Sequence, residues 1–151
     1  MKIQFYSLGE ISNERLDFAV ICTYYKDKWV FVRHKDRSTW EIPGGHREEN
    51  EDINITASRE LFEETGARKY KIEPVCDYSV TMEDRTTFGR LFYAEVTEIG
   101  HIPDSEIGEL RFSDTMPDNL TYADIQPHLY AKVLKYLEEE KGDCNVQEKL
   151  V

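Results

Sequence analysis

The sequence predicts a mixed α/β domain in which a mostly antiparallel or mixed sheet lies between helices. Three observations lead to this prediction. The 151 residues suffice for one hydrophobic core but not for two ordinary domains. Several runs alternate apolar and polar residues or are rich in β-branched and aromatic residues, as strands are. Two widely separated segments look helical instead, and this combination favours helices packed on a sheet.

Six strands are predicted along the chain. Phe18 to Tyr24 alternate, the sequence YKDK turns, and a β-rich run returns as the second half of a hairpin. A short strand follows and ends at Pro43, and a longer pair turns at residues 83–85. In chain order the strands are 18–24, 29–32, Thr39–Ile42, Tyr70–Met82, Thr86–Val96 and Glu109–Phe112.

Two helices complete the prediction. The first spans Ile53–Thr65, because good helix formers lead to Gly66, which supplies a left-handed cap. The second begins near Thr121 or Asp124 and ends at Glu140, with an apolar stripe at helical spacing. We expect residues 1–140 to form a single domain, and the tail 141–151 to be frayed because it has little to pack against.

Net charge, apolar segments and cysteine content limit which kinds of partner and which cellular location the protein can have. The net charge of −11 argues against a nucleic-acid polymer as partner, since phosphate contacts need a basic surface. No run approaches the length of a membrane span, and the N-terminal stretch lacks the apolar segment of a signal peptide. The three cysteines, Cys22, Cys76 and Cys144, are odd in number and have no metal-like spacing. We therefore expect a cytoplasmic protein with reduced thiols.

The first helix crowds acidic residues onto an apolar stripe. At about 100° per residue, Ala57, Glu60 and Glu64 fall within one sector of ~60°. Carboxylates that converge at the edge of a core need a positive partner, and a dication such as Mg²⁺ prefers oxygen ligands. An acidic helix end paired with Arg59 is the alternative that the helix alone leaves open.

A longer pattern surrounds these glutamates. Gly45 is followed after five residues by Glu51, and after seven more by Arg59-Glu60-Leu61-x-Glu63-Glu64-x-Gly66. At average residue usage such a match arises by chance on the order of once per billion starting points. The pattern is the Nudix box, and the chain resembles a Nudix hydrolase from about Leu16 to Leu137. The flanking segments WEIPGG (40–45) and DSEIGELRFSDTMPDNLTY (104–122) also resemble family segments.

The resemblance implies an α/β/α sandwich that hydrolyses the pyrophosphate link in a nucleoside diphosphate joined to another moiety. Similarity to MutT-type members favours a nucleoside triphosphate, such as the oxidised purine 8-oxo-dGTP, as substrate. ADP-ribose is less favoured, because residues 80–83 lack the proline that such members carry. Dinucleoside polyphosphates remain an alternative, as does a non-catalytic nucleotide sensor, although the intact glutamates disfavour the sensor. Homodimer formation is left open.

The resemblance also implies roles for residues. Mg²⁺ (or Mn²⁺) would bind the backbone of Gly45 and the side chains of Glu60, Glu63 and Glu64, and Arg59 would orient these glutamates. Glu106 is the preferred general base, ahead of Glu109 and Asp104. Basic residues near the glycines are candidate phosphate contacts, namely Arg33, Arg37 and Arg47. Polar residues near the last helix are candidates for base selection, namely Asn119, with Asp118, Asp124 and Gln126.

Overall fold

One seven-stranded sheet runs through the protein. A computed structural model describes the backbone of residues 1–150 and the side chains of residues 1–140. The strands are β1 (Lys2–Tyr6), β2 (Phe18–Tyr25), β3 (Lys28–His34), β4 (Gly44–His46), β5 (Ala67–Met82), β6 (Arg85–Ile99) and β7 (Ile107–Ser113). Their order is β1-β5-β6-β2-β3-β7, and β4 pairs with β2 beside this path. A single 3-10 turn, Asn13–Arg15, connects β1 to β2.

The sheet is mixed and largely antiparallel, which confirms the predicted class. Only β2 and β6 run parallel among the described strand pairs. The β2–β3 hairpin turns at Lys26 and Asp27, whose φ angles of 47° and 65° suit a two-residue turn with positive φ at both central positions. The sequence YKDK therefore turns where it was predicted to turn.

Two helices cover opposite faces of the sheet and complete the α/β/α sandwich. They are α1 (Ile53–Thr65) and α2 (Gln126–Leu150). On one face, Ala57 and Leu61 of α1 are fully buried with Ile21 and Phe92 of the sheet. On the other face, α2 contributes residues such as Val133 to a second buried cluster. Neither helix is both long and apolar enough to cross a membrane over the residues that the structure describes.

The observed ends of the two helices can be compared with the predicted ends. The α1 bounds agree with the prediction: the Asp52 side chain accepts from the backbone N–H of Asn54 at 2.8 Å, and Gly66 ends the helix at φ 75°. The second helix differs, because it begins at Gln126 and continues to Leu150, beyond the predicted end at Glu140. The frayed tail was predicted for 141–151, outside the residues with described side chains, and stays a prediction.

The strand predictions need three corrections. β1 was missed, although its pairing with β5 extends the sheet. The predicted strand Thr39–Ile42 is wrong. This segment forms only two isolated β-bridges, one between Glu41 and Val32 and one between Trp40 and Leu120. The short strand instead lies just beyond, at Gly44–His46. The five remaining predicted strands keep their positions but are longer at one or both ends, and they correspond to β2, β3, β5, β6 and β7.

Candidate active site

Two glutamates of α1 reach the glycines of β4. Glu64 is 7% exposed, and its carboxylate accepts a hydrogen bond from the backbone N–H of Gly44 at 2.8 Å. The Glu60 carboxylate lies against Gly45, where an added Cβ would stand only 2.5 Å from Glu60 Oε1. A side chain at position 45 would therefore displace Glu60, which explains why glycine is needed there.

Arg59 holds the acidic residues of the box together. Its Nε donates to Glu51 Oε2 at 2.9 Å. Its Nη1 donates to Glu60 Oε1 at 2.8 Å and to Glu63 Oε2 at 3.3 Å. Its Nη2 donates to the carbonyl oxygen of His46 at 3.0 Å, which ties this cluster to β4. Arg59 thus contacts two of the three glutamates that it was predicted to orient, Glu60 and Glu63, and the orienting role stays a prediction.

Burial leaves the site with negative charge that the protein only partly neutralises. Loss of solvation raises the pKa of Glu64 to about 8, against the opposing hydrogen bond from Gly44. Burial also raises the pKa of Glu60, against the opposing charge of Arg59. Hydrogen bonds from Arg59, by contrast, lower the pKa of Glu51 to about 2. A cation placed beside Glu60 and Glu64 would relieve the cost of keeping them ionised.

The donor set fits a hard divalent cation. The predicted ligands are carboxylate and backbone oxygens, which Mg²⁺ and Mn²⁺ prefer. Within residues 1–140, no three His, Cys, Asp or Glu side chains are already gathered around one point as a metal site. The positive charge between Glu60 and Glu63 comes here from Nη1 of Arg59. The chemistry of the residues therefore fits the ion.

A cavity of about 430 Å³ opens beside these glycines. This volume lies within the range of small-molecule sites. Apolar and aromatic side chains from β2, β5, α2 and the turn before α2 form much of its wall, among them Phe18, Tyr78, Val80, Ile125 and Leu129. Gly44 and Gly45 lie at its lining together with polar side chains, namely His34, Arg37, Glu41, Glu106 and Gln126. Apolar walls together with a few polar groups are typical of a ligand site.

Of the three late-loop acids, Glu106 alone lines the cavity, with a side chain that is 91% exposed. Its carbonyl oxygen accepts from the Lys35 backbone N–H at 2.7 Å. The Glu106 carboxylate lies 3.7 Å from Nδ1 of His34, whose Nε2 lies 3.6 Å from Glu64. Glu109 lies instead on β7, 3.7 Å from Arg33. Asp104 is likewise outside the cavity lining.

The predicted phosphate contacts divide into two kinds. Arg37 lines the cavity, and its Nη1 donates to Glu41 Oε2 at 3.0 Å. Arg33 donates to the carbonyl oxygens of His34 and Arg37 at 3.2 and 2.9 Å. Arg47 donates to four backbone carbonyl oxygens, those of Leu16, Glu48, Glu51 and Glu14. Arg33 and Arg47 therefore brace loops in this structure, and Arg37 is best placed to meet a ligand.

Some site residues differ from those that sequence reasoning singled out. Asn119 lies outside the cavity lining, and its Nδ2 donates to the Ser38 carbonyl oxygen at 2.9 Å. His34 and Glu41 were not predicted, yet both line the cavity, and Glu41 is only 7% exposed. The signal for Glu41 was present, because it is a lone acid between Trp40 and Ile42, directly before the glycines.

Comparison with known proteins gives a consistent family. The NUDIX domain matches residues 14–133 of the chain. A Bacillus subtilis (strain 168) protein, provisionally named 8-oxo-dGTP diphosphatase YtkD, is 31% identical over 104 residues. This match covers 68% of the chain and 64% of that protein, so the chain spans slightly less than two thirds of the relative's length.

Solved structures share the fold. A crystal structure of a mutant of the Bacillus subtilis pyrophosphohydrolase BsRppH has a TM-score of 0.74 and 21% identity, and covers 88% of this chain and 90% of that one. A UDP-X diphosphatase has a TM-score of 0.69 and 21% identity, with coverage of 83% and 64% respectively. At these identities the likeness shows the fold alone.

Proposed function

Because this chain belongs to the Nudix hydrolase family, we propose that it hydrolyses a nucleoside triphosphate to the monophosphate and pyrophosphate. The family acts on small nucleotide substrates and generally uses divalent metals. Mg²⁺ or Mn²⁺ is the proposed metal here, and an oxidised purine nucleotide such as 8-oxo-dGTP is the proposed substrate within the class. The provisional name of the Bacillus relative supports this choice.

One observation supports the proposal most strongly. The box glycines, Glu106, Gln126 and several apolar side chains line a single cavity. A nucleotide needs both kinds of surroundings, since its polyphosphate is anionic and its base is flat and largely apolar on its faces. The polyphosphate would lie toward Arg37 and the glycines, and the base would lie toward Gln126.

The chemistry assigns each residue a task. Water attacks a phosphorus atom of the pyrophosphate link, the bridging P–O bond breaks, and pyrophosphate leaves. Glu106 accepts the proton of the attacking water, since it faces the cavity from the late loop. Glu60, Glu63 and Glu64 would hold the metal, which when bound would neutralise charge that builds on the phosphate oxygens. Arg59 keeps Glu60 and Glu63 in place through its hydrogen bonds, and the backbone N–H of Gly44 holds Glu64.

The thiols support a reducing compartment. Cys22 and Cys76 are buried and unpaired, and burial raises both of their pKa values, that of Cys76 to about 11. Thiols of this kind are chemically inert. We therefore place the protein in the cytoplasm, as its composition predicts. Its oligomeric state stays open.

The experiment is a substrate panel with identified products. Purified protein with Mg²⁺ or Mn²⁺ is offered nucleoside triphosphates, 8-oxo-dGTP, ADP-ribose and a dinucleoside polyphosphate. We expect monophosphate and pyrophosphate from a triphosphate, and a loss of kcat by about three orders of magnitude or more in Glu64→Gln, which removes a charge from the metal site. Turnover of ADP-ribose alone would refute the substrate class. Nucleotide binding without any turnover would favour a sensor.

A further inference from the structure

The three methionines differ in how well a small oxidant can reach them. Met1 and Met82 are similarly accessible, since 59% of the first residue and 54% of the second are exposed. Met116 is partly buried and packs against the cluster of apolar side chains under α2. A peroxide oxidises a methionine only where it reaches the sulfur atom. We therefore expect Met1 and Met82 to react faster than Met116.

Of these three residues, Met82 alone lines the cavity. It is the last residue of β5, and side chains two positions apart on a strand point to the same face of the sheet. Tyr78, Val80 and Met82 thus form one row along the cavity wall, and their exposed fractions rise from 4% to 7% to 54%. Met82 therefore lies where the cavity opens to solvent.

The β5–β6 hairpin holds Met82 at this position. Met82 pairs with Arg85 across the turn. Two residues earlier on β5, Val80 pairs with Thr87, which also lines the cavity. Because the backbone is paired on both strands of the hairpin, the thioether of Met82 stays at the cavity mouth.

Oxidation would change this part of the wall from apolar to polar. The sulfur lone pair attacks one oxygen of hydrogen peroxide, the O–O bond breaks, and a sulfoxide and water are formed; sulfur is oxidised by two electrons and the peroxide is reduced. The thioether packs as an apolar group, whereas the sulfoxide is polar and accepts hydrogen bonds. A flat base placed against the sulfoxide would remove its oxygen from water without offering a donor, which costs binding free energy.

We propose that Met82 is an oxidation site through which a peroxide weakens nucleotide binding. Met82 lies outside the predicted metal ligands and on a different element from them, so oxidation should raise KM and leave kcat nearly unchanged. Methionine sulfoxide reductases reverse this modification, so the effect is reversible. This inference rests on the proposed function, because it assumes that the cavity binds the nucleotide.

The first measurement follows the oxidation itself. The protein is treated with hydrogen peroxide in the presence and absence of 8-oxo-dGMP, and the sulfoxide at each methionine is quantified by peptide mass spectrometry. We expect Met1 and Met82 to be oxidised before Met116, and the nucleotide to protect Met82 alone. Met1 is the matched control, because it is similarly exposed but lies outside the cavity lining. Absence of protection, or oxidation of Met116 ahead of Met82, would overturn the inference.

The second measurement compares triphosphate turnover before and after peroxide treatment. In the wild-type protein we expect KM to rise by about threefold to tenfold. Methionine sulfoxide reductases should restore KM, whereas dithiothreitol, which reverses cysteine oxidation, should not. Met82→Leu keeps a similar apolar volume without sulfur and should be insensitive to peroxide. Met116→Leu should stay as sensitive as the wild-type protein.

The outcomes separate this inference from the proposed function. A rise in KM that persists in Met82→Leu, or that dithiothreitol reverses, would overturn the inference while leaving hydrolysis intact. If no triphosphate is hydrolysed, the proposed function fails, and calorimetric titration of 8-oxo-dGMP into reduced and oxidised protein decides the inference. Weaker binding after oxidation that is absent in Met82→Leu supports it, whereas equal binding or no binding refutes it. Thermal unfolding of each variant checks that it folds.

Discussion

Glu64 combines two properties that ordinary surface carboxylates do not share. It is 7% exposed, and its hydrogen-bond partner in the protein is the neutral backbone N–H of Gly44. The other carboxylates of the box, Glu60 and Glu63, add to the repulsion around it. A residue of this kind lowers the stability of the metal-free fold when it is ionised, and its presence is explained by the ion that it would bind.

The stability of the metal-free protein should therefore depend on pH through Glu64. Its folded pKa is raised from 4.5 to about 8, so the favourable protonated state is fully present below pH 4.5 and is lost as the pH rises toward 8. We expect the Tm in EDTA to fall across this window, and Mg²⁺ to oppose the fall. Differential scanning calorimetry at several pH values measures the trend.

A matched pair of variants isolates this effect. Glu64→Gln should flatten the slope, because the buried group no longer ionises. Glu109→Gln should leave the slope unchanged, because the Glu109 side chain is 58% exposed. An unchanged slope in Glu64→Gln would mean that another group controls the pH dependence.

The late loop gives a second prediction. Glu106→Gln should lower kcat by about a hundredfold or more while leaving metal affinity nearly unchanged, because Glu106 faces the cavity as a base and lies outside the predicted ligand set. Glu109→Gln, on β7, should have a much smaller effect. Steady-state kinetics and metal titration of both variants provide the measurement. A larger loss in Glu109→Gln would transfer the base role to Glu109.

Helix α1 connects the stability of the fold to the geometry of the site. Its apolar face, with Ile53, Ala57 and Leu61, is fully buried against the sheet. The same helix carries Glu60 and Glu64 toward β4. Burial of the apolar face sets the rotation of α1 relative to the sheet, and the caps at Asp52 and Gly66 set where the helix begins and ends.

Two glycines with similar backbone conformation allow a test of the C-terminal cap. Gly66 has φ 75°, and an added Cβ would lie 2.6 Å from the carbonyl oxygen of Gly100. Gly9 has φ 84°, but an added Cβ would meet nothing within 4 Å. We expect Gly9→Ala to cost about 1 kcal/mol of unfolding free energy from backbone strain. Gly66→Ala should cost about 2–4 kcal/mol, because a backbone collision adds to the strain.

Urea unfolding of both variants measures the difference. Equal losses would show that the contact with Gly100 relaxes without cost, so that only the φ angle matters at both positions.

The order of the strands in the sheet determines which segments lie next to the cavity. β2 lies at the centre, paired with β6 on one side and with β3 and β4 on the other. Because α1 covers one face and α2 the other, the box glutamates and Gln126 approach the same glycine segment from opposite layers. The residues that line the cavity come from the sheet, from its loops and from the start of α2, whereas α1 reaches the same glycines through Glu60 and Glu64 from outside that lining.

Removal of metal tests the assembled site. Activity should vanish in EDTA and return with Mg²⁺ or Mn²⁺, because the predicted ligands are all oxygen atoms. The protein should remain folded in EDTA, since its two apolar clusters form without a metal. Activity assays and circular dichroism on the same samples distinguish loss of the ion from unfolding. Full turnover in rigorously metal-free buffer would refute the proposed mechanism.

Much of this protein follows from signals that are local in the chain. The spacing of Gly45, Glu51 and the glutamates of α1 predicted the family, because metal ligands on one helix must recur at helical spacing. The bounds of α1 and the turn at Lys26 and Asp27 were predictable because caps and tight turns depend on neighbouring residues.

Other features depend on contacts between distant segments, and the sequence carried no readable signal for them. The placement of the Gln126 amide depends on a hydrogen bond to Ile42 across a separation of 84 residues. Whether Glu106 or Glu109 faces the cavity depends on how the late loop joins β7, where β3 and β7 shift register between Arg33 and His34. Thr39–Ile42 has strand-like residues but forms no strand, because its two sides meet different partners. In each case packing between segments sets the direction in which a side chain or backbone group points.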